Sequence, residues 1–162
     1  MVTVTPALTM LEAARISFSI SEYDRHMSGD GDLRDFGREA AEALGLSADE
    51  VFKTLVVVSE SDELIVAVLP VSCQLSMKLV AAAANVKKVS MSDPSVAERS
   101  SGYVVGGISP LGQRRQLRTV IDESADLFDT IYVSGGRRGL DIGLAPADLA
   151  RVLDATIAPI TA

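Results

Sequence analysis

Residues 51–69, V-F-K-T-L-V-V-V-S-E-S-D-E-L-I-V-A-V-L, set the architecture. Val51 to Val58 and Leu64 to Leu69 are rich in β-branched residues, and the polar Glu60-Ser61-Asp62-Glu63 between them reads as a hairpin turn. Both runs predict central strands. Lys53 lies at the head of the first, and a lysine there is ordinarily a surface residue whose stem lies along apolar neighbours. Pro70 closes the second strand.

Downstream of this hairpin, Ser76 to Ala84 predicts a short Ala-rich helix ended by Asn85, and Lys88 to Met91 a short strand. Ser92 is placed to cap a helix from Asp93 to about Arg99, with Pro94 in its first turn. Leu117 to Ile121 and Thr130 to Ser134 read as strands separated by a helical turn at Ala125 to Phe128. Ser134-Gly135-Gly136-Arg137-Arg138-Gly139 then turns into Leu140-Asp141-Ile142 as a second hairpin. Pro146 opens a helix reaching Leu153, and Ile157 to Ile160 predicts an edge strand that tolerates Pro159.

Upstream, Thr5 before Pro6 starts a helix to about Arg15, and Ser17 to Tyr23 alternates as a strand with Phe18 and Ile20 on one face. Asp24 to Asp32 is a polar loop. Leu33 to Leu44 has helical periodicity with Gly45 at the C-cap, and Ser47 with Glu50 forms a capping box. Hairpins mixed with helices predict an α/β fold of the mixed α+β kind. Its sheet is mixed and partly antiparallel, with helices packed on it.

At 162 residues, 48% of them apolar, the chain fits one domain over 1–162 with a core of its own. No apolar run is long enough to span a membrane and the N-terminus has no basic-then-apolar pattern, so the expected location is cytoplasmic. One cysteine, Cys73, and one histidine, His26, exclude an internal disulfide and the usual Cys/His zinc sites. Cys73 reads as a small buried side chain and His26 as a surface residue. A net charge of −7 argues against broad nonspecific binding of nucleic acid. The cations cluster at Lys87-Lys88, at Arg114-Arg115 with Arg118, and at Arg137-Arg138, each either a solvated face or a weak phosphate contact.

Gly102 to Gly112, G-Y-V-V-G-G-I-S-P-L-G, joins a strand-like arm (Tyr103, Val104, Val105) to a loop in which Gly106 and Gly107 tolerate positive φ and Pro110 holds Ser109 extended. Two readings are open: a tight connection, or a cradle in which the N–H groups of Gly107, Ile108 and Ser109 converge on an anion or oxyanion. The spacing matches neither a P-loop nor G-x-G-x-x-G. Asp141 faces away from Leu140 and Ile142, placed either to orient a substrate amine or to pair with an arginine.

Three motifs in order, V-F-K-T-L-V-V at 51–57, G-Y-V-V-G-G-I-S-P-L-G-Q at 102–113 and I-Y-V-S-G-G-R-R-G-L-D-I at 131–142, make the chain resemble the YbaK/EbsC family of free-standing aminoacyl-tRNA deacylases. That family is related to the editing domain of bacterial prolyl-tRNA synthetase. The resemblance implies a mixed, partly barrel-like sheet flanked by helices, no cofactor and no metal. It implies that Lys53, Gly106, Gly107 and Ile108 carry the catalysis. Substrate would be bound by Tyr23, Phe36, Thr54, Ser109, Pro110, Ser134, Gly135 and Asp141, with Arg137 and Arg138 touching tRNA. The implied substrate is mischarged Cys-tRNA(Pro), whose own thiol attacks its ester, and the implied partner is prolyl-tRNA synthetase. Water-mediated deacylation of a small aminoacyl-tRNA such as alanyl-tRNA, and a non-catalytic module binding tRNA or a synthetase, are the rivals.

Overall fold

The computed structural model describes residues 4–24 and 36–162. The hairpin at its centre pairs β2 (Phe52–Ser59) antiparallel with β3 (Leu64–Pro70), Lys53 facing Leu69 and Val57 facing Ile65. β4 (Val89–Met91) adds antiparallel to β2, while β5 (Arg118–Asp122) and β8 (Thr156–Ala158) add parallel beyond β3, giving the order β4-β2-β3-β5-β8. A second, antiparallel sheet has the order β1-β7-β6, from β1 (Phe18–Glu22), β7 (Leu140–Leu144) and β6 (Ile131–Ser134). The two sheets touch where Val51 bridges Tyr132, whose N–H donates to the Glu50 carbonyl at 3.0 Å. The described strands thus form two joined sheets, not one closed barrel.

β3 shows why the sequence does not alternate. Val66 and Val68 enter one core with Leu11, Phe52, Val133 and Ile142, while Ile65, Ala67 and Leu69 enter another with Val57, Val80 and Ile160. Each such aliphatic side chain contributes roughly 1.5–3 kcal/mol by leaving water. Only a strand between two apolar layers has no polar face.

The helices are α1 (Pro6–Ala13), α2 (Phe36–Leu44), α3 (Met77–Ala84), α4 (Pro94–Ser101) and α5 (Pro146–Leu153), with a 3-10 turn at Glu123–Leu127. Their ends follow the expected residues. Ser76 accepts from the Leu79 N–H, and Asn85 ends α3 in the left-handed region at φ 58°. Thr5 does more than cap α1. Its Oγ1 accepts from the Leu8 N–H at 3.3 Å and donates to the Gly135 carbonyl at 2.6 Å, tying α1 to the second glycine cluster.

Several expectations need correction. The N-cap of α4 is Asp93, not Ser92, whose hydroxyl leans on the Asp93 carbonyl. The Ser47–Glu50 box closes a single turn and no helix follows it. Ile20 shares the face of Ile142, but on the edge strand β1 it is 40% exposed. Tyr103 to Val105 is not a strand. Gly102 ends α4 with φ +84°, after which Tyr103 turns inward and Val104 outward. The loop through His26 and the expected helix start at Leu33 lie outside the described residues.

Replacing Thr5 by valine keeps the side-chain volume and removes both hydrogen bonds. The expected loss is about 1–2 kcal/mol, a fall in Tm of roughly 3–6 °C, checked by thermal unfolding.

Candidate active site

The loop after α4 is built by hydrogen bonds within itself and to its helix. The Glu98 carbonyl accepts from the Gly102 N–H and the Glu98 carboxylate from the Val105 N–H, both at 2.8 Å, so one residue holds both sides of the bend. The Gly107 N–H donates to the Val104 carbonyl at 2.9 Å, closing a turn whose third residue, Gly106, has φ +90°. A type II turn requires positive φ at that position. Ser109 is fully buried, with Oγ accepting from the Leu111 N–H at 3.2 Å and its carbonyl accepting from Gln113 Nε2 at 2.9 Å, and Pro110 is buried beside it.

Of the three amides in the cradle reading, two are therefore unavailable. Gly107 spends its N–H in the turn, and Ser109 has no surface to offer a substrate. Gly106 and Ile108 are half-buried, and their N–H groups have no hydrogen-bond partner among the described residues. With the exposed Val104 N–H, which also has no described partner, these two are the donors the loop leaves available, and they flank Gly107.

The 135–139 turn lies directly against this loop. A Cβ on Gly107 would sit 2.8 Å from the Arg137 Cα, and one on Gly106 would sit 2.7 Å from the Phe36 ring. The turn's arginines, for which a solvated face and a phosphate contact were both open, are engaged within the protein. Arg137 Nη2 pairs with Glu22 Oε2 at 2.7 Å. Arg138 Nε donates to the Val105 carbonyl at 2.8 Å, and its guanidinium stacks over Phe36 at 4.7 Å from the ring centroid. Tyr23 joins the same turn through its N–H, which donates to the Gly139 carbonyl at 3.0 Å. The Ser134 hydroxyl accepts from the Gly136 N–H at 3.2 Å, and buried Gly135 donates to the Leu140 carbonyl at 2.8 Å.

Alternation then sorts the remaining residues by face. Leu140 and Ile142 enter the core and Asp141 takes the other face, beside Ser21 and Ser134 in register. It is 4% exposed, its carboxylate is hydrogen-bonded to no described residue, and burial pushes that carboxyl up to about 7. The arginine pairing held open for it does not occur among the described residues. Phe52 enters the core and Lys53 the opposite face, where Nζ donates to the Cys73 carbonyl at 2.7 Å. Burial pulls the Lys53 ammonium below its ordinary pKa; Cys73 pushes the other way, and Arg38 at the start of α2 adds to the lowering. Thr54 alternates away from Lys53, and its buried Oγ1 has no partner, so it does not line this face. Cys73 is half-buried, not fully enclosed, and contributes its carbonyl.

Residues 30–152 match the model of the aminoacyl-tRNA editing domain. The chain is 34% identical to EbsC of Enterococcus faecalis, whose name proposes a Cys-tRNA(Pro)/Cys-tRNA(Cys) deacylase, over 97% of this chain and 93% of that one. It belongs to the aminoacyl-tRNA editing domain family. Two solved structures share the editing-domain fold. A hypothetical protein superposes with TM-score 0.85 at 22% identity, covering 98% of this chain and 100% of that one. A chain described as a proposed trans-editing enzyme for prolyl-tRNA synthetase does so with TM-score 0.78 at 18% identity, covering 99% of each.

Within this editing-domain site, Glu98 and Thr5 escaped the sequence reading as parts of the scaffold. Glu98 had left a trace, because an acid in the last turn of a helix opposes the helix dipole and calls for a separate reason. Its reason is the Val105 N–H.

The buried carboxyl predicts a pH dependence of stability. With a folded pKa of about 7 against an ordinary 3.8, the folded state holds the proton more tightly. Stability therefore falls as pH rises from about 4 to 7, by up to about 1.4 kcal/mol per pH unit, and levels off above. Asp141→Asn removes that fall. Denaturant unfolding at pH 5 and pH 8 checks it: the variant's advantage over the parent should grow between the two, and a pH-independent difference would place the carboxyl in the ordinary range.

Proposed function

We propose that this deacylase clears cysteine from mischarged proline tRNA, acting in trans, with the substrate's own thiol as nucleophile. The observation that carries the reading is the pair of unengaged amides at Gly106 and Ile108, with neither Ser109 nor Cys73, among the described residues, placed to act as a nucleophile there. Ser109 is buried and committed to its own loop, and Cys73 presents a carbonyl to Lys53. A cysteinyl ester brings the missing group. Its sulfur attacks the ester carbonyl, a C–S bond forms, and the oxyanion is held by the two amides. Collapse breaks the C–O bond to the ribose, the thiol proton ends on the released ribose oxygen, and the products are a thiolactone and free tRNA. Water opens the thiolactone afterwards.

In this scheme Lys53, with two N–H donors left beyond the Cys73 carbonyl, holds a phosphate of the terminal adenosine. Asp141 meets the substrate's ammonium, Phe36 and Tyr23 wall the site, and Ser134, Gly135 and Pro110 fix its shape. Gly107 sets the approach of the loop. Arg138 keeps its terminal nitrogens for the RNA backbone while Nε and the ring face are occupied, and Arg137 contributes its charge next to Glu22. A chain of net charge −7 gains little general affinity for RNA, which supports prolyl-tRNA synthetase as the partner that delivers the substrate. A second reading, water-mediated hydrolysis of alanyl-tRNA, draws on Asp141, whose carboxyl near pH 7 is suited to a general base.

Single-turnover rates on cysteinyl- and seryl-tRNA(Pro) separate the two. A thiol nucleophile predicts cysteinyl release faster by on the order of 100-fold, since serine would need a base worth at least that much, together with a thiolactone among the first products. Equal rates would favour water. Lys53→Ala should keep a cooperative thermal transition and lose about 10- to 100-fold in kcat/KM, the worth of a charged hydrogen bond.

A further inference from the structure

A groove of about 430 Å³ lies along α3 and β4, away from the residues of the site above. Met77, Val86 and Val89 line its floor, and Lys78, Lys87 and Lys88 surround it, all three exposed. Elsewhere on the described surface Arg118, Arg137 and Arg151 are matched to Glu63, Glu22 and Asp148, while Arg114 and Arg115 are exposed without an ion pair but line no groove of this size. No described carboxylate forms an ion pair with Lys78, Lys87 or Lys88. The nearest acid, Glu60, uses both oxygens to accept the backbone N–H groups of Lys87 and Lys88, each at 3.2 Å. Those bonds fix the turn and leave both ammonium groups pointing to solvent. In a chain of net charge −7, three unmatched lysines around one concavity form a local field of the opposite sign.

We propose that this groove carries the phosphodiester backbone of the RNA whose aminoacylated end occupies the site, which rests on the deacylase reading above. Position supports it. The segment that leads into α3 includes Cys73, whose carbonyl holds Lys53, so the groove begins a few residues from the proposed catalytic lysine. A polyanion anchored there by its acyl end has to leave across the protein surface. Lys78 sits at the first turn of α3 and Lys87 and Lys88 just beyond its end, so the three lie at the two ends of a helix of 8 residues, about 12 Å long at 1.5 Å per residue. That length spans about three to four phosphates of one strand at roughly 3.4 Å each. Small side chains along α3, Ala81 and Ala82, let a backbone approach closely. An acidic protein helix is the competing occupant, and it has no reason to begin at Lys53.

The test is the Lys78→Gln, Lys87→Gln, Lys88→Gln triple variant, assayed on cysteinyl-tRNA(Pro) at several salt concentrations and on cysteinyl-adenosine, which has the reacting end and no RNA backbone. The expected result is a KM for the tRNA raised at least about tenfold with kcat unchanged, a salt slope reduced by about 2 to 3, and unaltered turnover of cysteinyl-adenosine. An unchanged KM and salt slope overturns the proposal. Loss of turnover on cysteinyl-adenosine also overturns it, because the lysines would then serve the fold or the site. Unaltered tRNA kinetics with lost binding of prolyl-tRNA synthetase overturns it in favour of a protein partner. Binding of uncharged tRNA(Pro), followed by its salt slope, keeps the groove testable if no charged tRNA proves to be a substrate.

Discussion

The start of α1 is where three stretches of backbone come closer than side chains allow. A Cβ on Gly112 would lie 2.4 Å from the Pro6 carbonyl carbon, and one on Gly136 would lie 2.9 Å from the Tyr103 ring and 3.1 Å from Thr5 Cβ. At Gly112 the neighbours are backbone, so a side chain there would force the backbone to move, and at Gly136 a φ of +105° adds strain to the crowding by the Tyr103 ring. Polar groups bond across the same junction. The Thr5 hydroxyl donates to the Gly135 carbonyl at 2.6 Å, and the Tyr103 hydroxyl donates to the Leu111 carbonyl at 2.7 Å. Burial pushes the Tyr103 phenol to about 12, so it remains a neutral donor across the working pH range. The loop and the turn are thus set against each other by α1, which has no group in the site. This fixes the direction in which Gly106 and Ile108 present their N–H groups.

The two ionisable groups of the site respond to burial in opposite directions. Desolvation raises Asp141 and lowers Lys53, and in each case it moves the group toward its neutral form. Neither relieves the other, since Lys53 is held on the Cys73 carbonyl and Asp141 lies beside Ser21 and Ser134. Two half-satisfied charges cost stability in the free protein. They are also the groups with most to gain from a ligand that brings a cation to one and an anion to the other, as the aminoacylated end of a tRNA does in the proposed reading.

Most of the fold was legible because local chemistry and global packing agree. The β-branched hairpin, Thr5-Pro6, Ser76 with Asn85, and Pro146 each specify one local structure, and the core demands the same one. The failures cluster where the two disagree. Tyr103-Val104-Val105 has the composition of a strand, but Gly102 has already turned the chain and the phenol is drawn inward to the Leu111 carbonyl. In the site, residue types were legible and their partners were not. Nothing in the string 106–110 reveals that Gly107 donates to Val104, because that bond depends on Gly106 reaching φ +90°. The contacts that Arg137 and Arg138 make within the protein are hidden because Glu22 and Phe36, their partners, lie about 100 residues earlier in the chain.

An enzyme that borrows its nucleophile needs rigidity more than reactivity. Attack by a group already attached to the ester is intramolecular, so the protein has no bimolecular entropy to overcome and no base to position. What remains is to hold the carbonyl where charge develops, and a backbone amide does that without changing protonation state. Backbone donors are only as well placed as the backbone itself. In the proposed scheme this is the use of the structure behind two N–H groups: a carboxylate from α4 on Val105, a guanidinium from the neighbouring turn on the same residue's carbonyl, and a glycine packed against the Arg137 backbone. Val105 is gripped on both its N–H and its C=O, and Gly106 is the next residue in the chain. The specificity for sulfur in this scheme belongs to the substrate, and the fixed geometry belongs to the protein.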